Sequence, residues 1–570
     1  MSRSASFGPA PVRNLQASVF EGEAKFHDVE IGGNADFEGT GFVCEDDDAE
    51  IHFDRAKIKG NIRFRESSFG AKLVLSSVQV GGQFSLDAGV FKRGIVCNRM
   101  NVTGPAFLRN ASFSSQARFH ATHFCDNAFF EGARFDGDAS FLRTKIDGDA
   151  TFSSGDDSSS TIAAFNSDAD FTDACIGGNA DFSKVAFAAE ATFDSLRVEK
   201  SVFFRDSIFK DGADFTGLHA GQDASFDRVQ FRAANIPPSQ PGKDAPENPT
   251  AQLSLVTFQG AEILGDAHFR NAHFMADTSF EDAIFHGGAY FDTVVFREGS
   301  QPSFSGTHFQ HGAFFRDASF HDVATFRVAR FGLEARFQAT KFHKRVIFDG
   351  AIFEGIAEFR SGELRGAAIS AAVFNDVSFE HARFEQDARF DDTLFRKLTG
   401  FRETSFKALY LSPDGYTGKR RRMQFERGVD LRGCQYDRVQ VDWKALLQLG
   451  EHSQASSRIL KQARRVAPRQ QPYDRQPYIQ LERALRISGK TEDADHVYLE
   501  RRRVERYLRW TRGQYGRWAT DVLFGLGARY GVRPFRLVVF SIALIASGTW
   551  FFSQPGTLST PKDSHLGVRM

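Results

Sequence analysis

Phenylalanine recurs along this chain at separations that alternate between five and six residues. One run reads Phe113, Phe119, Phe124, Phe130, Phe135, Phe141, Ile146, Phe152, and a second runs from Phe165 to Phe215. The 62 Phe against 4 Trp and 10 Tyr are the imprint of a single repeated core position. An eleven-residue unit, five plus six, is too short to bury its own apolar side chain. It must stack on its neighbours, so the spacing predicts a solenoid.

The wording around each Phe repeats as well: Asn34-Ala35-Asp36-Phe37, Asp168-Ala169-Asp170-Phe171, Asn179-Ala180-Asp181-Phe182, Gly212-Ala213-Asp214-Phe215. A small residue stands two before the Phe and a polar one just before it. In an extended segment residues two apart point the same way, so Ala and Phe face inward and the residue between them faces out. Gly and Asp cluster just after each Phe, which suits a corner. This small–Asp/Asn–apolar–x–x unit resembles the pentapeptide-repeat family, in the Phe-rich branch with alternating five- and six-residue steps and of the membrane-linked bacterial type. The resemblance implies an all-β solenoid, a right-handed quadrilateral β-helix with four faces per 22-residue coil. Phe113 would then lie under Phe135, Phe119 under Phe141 and Phe130 under Phe152, with Phe171, Phe182, Phe193 and Phe204 continuing the ladder. About seventeen coils at a strand-like ~4.8 Å make a rod on the order of 80 Å long.

Breaks in the spacing divide the chain. Residues 1–19 form an N-terminal segment, and residues 20–436 form the β-helix, with loop excursions at 153–164, 232–252 and 407–423 and a smaller acidic one at Glu45 to Asp48. Loops of this kind often carry a solenoid's specific contacts. Residues 437–530 read as a helical neck and cap. Pro477 suits a first helical turn, Gly489 a C-terminal cap and Thr491 the next N-cap. The second helix becomes basic through Arg501, Arg502, Arg503, Arg506, Arg509, Arg512 and Arg517, with Trp510, Tyr515 and Trp518 interleaved. With Arg533 and Arg536 these form a candidate membrane-surface cluster. Leu537 to Phe552 carries no charge, so residues 531–553 are expected to form one transmembrane helix, leaving 554–570 as a short tail. The arginines on its N-terminal flank place the bulk of the chain in the cytoplasm, as a single-pass protein of a bacterial inner membrane.

A net charge of −1 hides an asymmetry, since residues 21–400 sum to −18 and residues 401–570 to +15. The five cysteines form no CxxC pair, which points to a reducing compartment, and the first twenty residues lack the apolar stretch of a signal peptide. No Gly-x-Ser-x-Gly elbow, Walker loop or His-Glu-x-x-His helix occurs. His123, His268, His273 and His308 each precede a Phe and read as outward, separate imidazoles, with His308 and His311 the closest pair. No metal, cofactor or catalytic residue is expected. The sequence therefore points to a non-enzymatic, membrane-anchored scaffold that presents a β-helical rod to a protein partner. DNA mimicry directed at an enzyme such as gyrase, which the resemblance also implies, and a subunit of a membrane channel or transporter are the alternatives. Nucleic acid is not expected as a partner, and a homo-oligomer stays open.

Overall fold

The computed structural model describes the strand Ser6–Phe7 and residues 18–440 and 474–554, apart from 45, 47, 154–162, 233–254, 365–366, 398, 412–424, 426–428, 528–529, 531 and 533–534. Three of the expected excursions and nearly all of the tail fall largely outside these residues. The chain divides into two compact units, Met1–Gln462 and Ala463–Met570, each described by itself.

The first unit is a parallel β-helix. Four short strands make one coil: Ser112–Phe113, Ala117–Arg118, His123–Phe124 and Ala128–Phe129, after which Arg134–Phe135 lies back on Ser112–Phe113. Adjacent coils pair in parallel at a register of 22 residues, as in Ala117 with Ala139 and His123 with Lys145. Their amides and carbonyls bond along the coil axis, Phe119 N–H to Ser140 O at 2.8 Å and Phe130 N–H to Thr151 O at 2.7 Å. The Phe side chains fill the interior as continuous stacks. Phe113 lies 4.8 Å from Phe135, Phe119 4.9 Å from Phe141 and Phe130 4.4 Å from Phe152, all with nearly parallel rings. Phe171 on Phe193 and Phe182 on Phe204 continue them at 5.1 and 4.9 Å. Neighbouring stacks meet edge to face, as Phe119 does with Phe130 at 6.0 Å, the geometry that aromatic quadrupoles favour.

Two kinds of corner alternate. At one, the second residue after the inward side chain is left-handed, and Arg55, Glu66, Ser77, Ala88, Arg99 and Asn110 recur there every eleven residues. The third residue closes the turn, with Thr122 N–H bonding Phe119 O at 3.1 Å. At several corners that residue is a buried Ser or Thr whose hydroxyl donates to a carbonyl of the preceding coil: Thr144 to Phe119 O at 2.7 Å, Ser207 to Phe182 O at 2.6 Å. At the other corner the coils crowd. A Cβ on Gly137 would sit 2.6 Å from Ser115 C and 2.9 Å from Gln116 N, so glycine is required there. The polar residue that opens each unit is also used. Asn127 Oδ1 accepts from Asp149 N–H and Asp149 Oδ1 from Asn179 N–H, both at 2.7 Å.

Excursions lengthen single coils without shifting the faces. Phe135 pairs with Phe165, Gln230 with His273 and Ser405 with Gln435. One excursion escapes the sequence reading: Gly362–Leu364 and Ala367–Ile369 form an antiparallel hairpin, and Lys341 consequently pairs with Val373. Toward this end the seven-residue strands Lys341–Ile347 and Arg383–Arg389 run around a corner and pair on two faces at once. At the other end Ser6–Phe7 pairs with Glu30–Ile31, so the ladder reaches into the expected N-terminal segment.

The second unit contains helices α1 (Gln476–Ile487), α2 (Thr491–Thr511), α3 (Tyr515–Gly527) and α4 (Phe535–Phe552). Pro477 lies in the first turn of α1, and Gly489, at φ 75°, follows its end. Leu481, Ala484 and Leu485 of α1 are buried, as are Ala494 and Val497 of α2. Three expectations need correction. The N-cap of α2 is Lys490, with Thr491 already helical. The basic stretch is not one helix, because Gly513, at φ 73°, ends α2 and separates it from α3. The transmembrane helix expected over 531–553 is an 18-residue helix, about 27 Å at 1.5 Å per residue. Among the described residues no helix is long and apolar enough to cross a membrane.

Val328 is the one β-branched side chain with aliphatic branches among the left-handed non-glycine residues described, at φ 49° and 60 % exposed. Its strain is not offset by burial. Val328→Asn is expected to stabilise the β-helix by about 1 kcal/mol, because Asn tolerates this conformation. Denaturant midpoints of the two proteins measure it, and a lowered midpoint would contradict the corner analysis.

Candidate interaction face

The strands Ala106–Phe107, Ala128–Phe129, Val202–Phe203, Ala267–His268, Gly288–Tyr290 and Gly312–Phe314 lie on one face of the β-helix. Each turns its small residue inward and its next residue outward. On this face the outward residues are often aromatic. Register places His268 against Tyr290, Tyr290 against Phe314 and Phe314 against Arg336. Their rings stack outside the helix as the core rings stack within it, His268 to Tyr290 at 5.1 Å and Tyr290 to Phe314 at 4.9 Å. Earlier on the same face, Phe107 stacks on Phe129 at 5.3 Å.

Arginine accompanies these rings. Arg270 lies 4.2 Å from the centre of Tyr290, and Arg316 and Arg336 lie 5.6 and 5.7 Å from that of Phe314. Arg109 over Phe107 and Arg205 over Phe203 repeat the pairing at 4.8 and 4.5 Å. The local reason is the two-residue step, since an outward aromatic and an Arg two positions later emerge on one side of the chain. Arg270 Nη1 donates to His268 Nδ1 at 2.8 Å. Burial first, and then that guanidinium, lower the pKa of the His268 imidazole from its ordinary value. Arg316 is fixed by a two-pronged pair with Asp292, at 3.0 and 2.6 Å, which raises its pKa further. The half-buried rings and oriented guanidinia form a preorganised patch of flat apolar surface, with Arg316 and Arg336 held by Asp292 and Glu334 and Arg270 held by His268.

The sequence reading treats the outward position as a solvated surface and misses this column. A signal was present in the doublets Phe129-Phe130, Phe203-Phe204 and Phe314-Phe315, where the second ring is needed inside and the first is not.

The residues expected to act elsewhere are placed as follows. Phe113, Phe119, Phe130, Phe135, Phe141, Phe152, Phe171, Phe182, Phe193 and Phe204 are all buried in the core. The basic cluster is not a free charged surface. Arg501 is buried, 3.4 Å from Glu482 and stacked over Tyr498. Arg502 meets Glu505 and Asp521, both at 3.3 Å, Arg503 pairs with Glu500, and Arg509 pairs with Asp521. Arg506 is half-buried, whereas Arg512 and Arg517 are exposed. Arg533 and the side chain of Arg536 lie outside the described residues. Much of the cluster thus holds the helices to one another. Neither His308 nor His311 joins a metal-ligand cluster among the described residues, and His311 Nδ1 meets the His286 carbonyl. Three potential ligands do converge at His27, His52 and Asp54, and at His123, Cys125 and Asp147.

A solenoid built on repeated inward rings, with its distinctive features on outward faces, is a display architecture. The family model for pentapeptide repeats (9 copies) matches residues 98–145, 251–295, 304–352 and 348–405. These segments belong to the pentapeptide-repeat family. No curated protein and no solved structure matches the chain.

Removing the Arg501 guanidinium takes from Glu482 its buried partner and leaves it Arg486, an exposed side chain 3.4 Å away. Arg501→Ala should destabilise the helical unit by several kcal/mol, whereas Arg512→Ala should change it by less than about 0.5 kcal/mol. Thermal unfolding followed by far-UV dichroism at the helical band tests the contrast, and equal effects would restore the free-cluster reading.

Proposed function

We propose that this protein is a non-enzymatic interaction scaffold and that it binds an acidic segment of a partner protein along the aromatic–arginine face. The column His268, Tyr290 and Phe314 with Arg270, Arg316 and Arg336 carries the reading. Aromatic rings and arginines are the side chains that concentrate binding energy at protein interfaces, and here both are held in place before a partner arrives. Arg270 meets His268 and Tyr290 rather than a carboxylate, so its guanidinium is the one offered to an acidic partner. A photo-crosslinking phenylalanine analogue at position 314 of the full chain should capture one discrete partner in cells, and the same probe at Thr325 on another face should not. Capture should fall at least tenfold in Arg316→Glu. Equal capture at both positions, or insensitivity to Arg316→Glu, would overturn the assignment.

Attachment to a membrane is the second part of the proposal, and α4 supports it. Val538, Val539, Ile542, Leu544, Ile545 and Trp550 are each more than half exposed. They lie all around the helix, whereas a helix resting on a protein surface is apolar along one stripe. In flotation with vesicles of phosphatidylglycerol and phosphatidylethanolamine, the full chain should rise with the lipid and a chain ending at Gly527 should not. A full chain that stays at the bottom would remove the membrane from the proposal while leaving the interaction face untouched.

A further inference from the structure

The geometry points to a divalent transition-metal site, of the kind that takes zinc, formed by His123, Cys125 and Asp147 on the face of the β-helix preceding the aromatic one. His123 and Cys125 flank the buried Phe124, so both side chains leave the strand on the outer side. Asp147 follows Ile146 on the next coil, which the ladder sets directly against Phe124. One ligand atom from each of the three lies within 4.8 Å of the others. One imidazole gives one nitrogen to one cation, and it is Nε2 that faces Asp147 Oδ2, at 2.8 Å, so the Cys125 sulfur, 3.8 Å from Nδ1, turns toward Nε2 to reach the roughly 3.6 Å sulfur–nitrogen edge of a zinc tetrahedron. Thiolate, imidazole and carboxylate together are a ligand set for a borderline-soft cation, with the fourth position open to solvent on this exposed surface.

The surroundings suit such a site. Lys145 Nζ holds Asp147 Oδ1 at 2.7 Å, which orients the carboxylate and leaves Oδ2 facing His123 Nε2 at 2.8 Å. Asn101, paired with His123 from the coil before, has its amide 3.4 Å from the Cys125 sulfur. Turned over, that amide donates to a thiolate. Metal binding forms a sulfur–metal bond in place of the sulfur–hydrogen bond, and the proton leaves to solvent. Two anionic ligands then balance the dication, with Lys145 one shell further out. The second cluster is a poorer candidate, because both nitrogens of His52 already meet carboxylates, Asp54 at 3.0 Å and Glu50 at 3.1 Å. Cys125 also provides a spectroscopic mark that the second cluster lacks.

Cobalt(II) added to the reduced full chain should produce a near-ultraviolet thiolate-to-cobalt charge-transfer band that saturates at one equivalent, and excess zinc should bleach it. Cys125→Ser and His123→Ala should each abolish the band, while Cys44→Ser and Cys175→Ser should retain it. Asp147→Asn should weaken cobalt binding by more than the roughly 10- to 100-fold that loss of an outer-shell partner costs. Absence of the band in the parent, or its survival in Cys125→Ser, would overturn the site. A readout independent of any variant is alkylation of the parent by iodoacetamide. Zinc should slow modification of Cys125 at least tenfold and leave that of Cys44 unchanged, and equal rates at Cys125 with and without zinc would reject the proposal.

Discussion

Parallel pairing of each coil with the next, at a register of 22 residues, is the constraint on which the rest of the β-helix depends. It satisfies backbone amides and carbonyls along the coil axis. It also fixes the side chains, because residues one coil apart must lie one above the other at strand spacing. A Phe at an inward position is therefore handed a second Phe to stack on, and Phe280 on Phe304 at 4.8 Å shows how parallel the rings become. The same rule acts outside. Every outward side chain has a neighbour above and below that it did not choose, and the sequence can make that neighbour a partner, as in the pairs Arg228 with Asp206 and Arg316 with Asp292.

This accounts for what could be read in the sequence. The inward positions repeat with a short period, so the solenoid, the 22-residue coil and individual pairs such as Phe113 over Phe135 were legible from spacing and family resemblance together. The outward positions do not repeat, and their contacts are separated by a full coil plus whatever an excursion adds. His123 and Asp147 are 24 residues apart, and Gln230 and His273 are 43 apart. His123 looks solitary in a linear reading for that reason alone. The hairpin at Gly362–Leu364 and Ala367–Ile369 was missed on different grounds. Its residues are apolar enough to pass for another unit, without the Ser/Asp or Pro run that marked the other excursions.

The helical unit shows the converse limit. Amphipathic spacing and capping signals located α1 and the start of α2 to within a residue, since those depend on local sequence. The arginine run misled because charge in a sequence says nothing about who faces it. Glu482 lies 19 residues before Arg501 and Asp521 lies 19 after Arg502, on neighbouring helices. Once Gly513 allows the chain to turn back, these carboxylates neutralise much of the run from within.

The corners explain how so regular a rod tolerates irregular sequence. A left-handed residue costs on the order of 1–2 kcal/mol, and this β-helix accepts Arg, Glu, Ala and Lys there in coil after coil. The cost is offset locally. The turn bond closes behind most of them, and at several corners a buried hydroxyl on the next residue ties two coils together, as Thr340 does to Phe315 O and Thr404 to Phe379 O. Apart from the buried Ala339, most of the left-handed side chains lie on the outside, where pairs such as Arg228 with Asp206 form between coils. Evolution of such a surface can therefore proceed one column at a time, with the core and corners unchanged. An aromatic–arginine column on one face and a cluster of metal-ligand side chains on the next are what that independence permits.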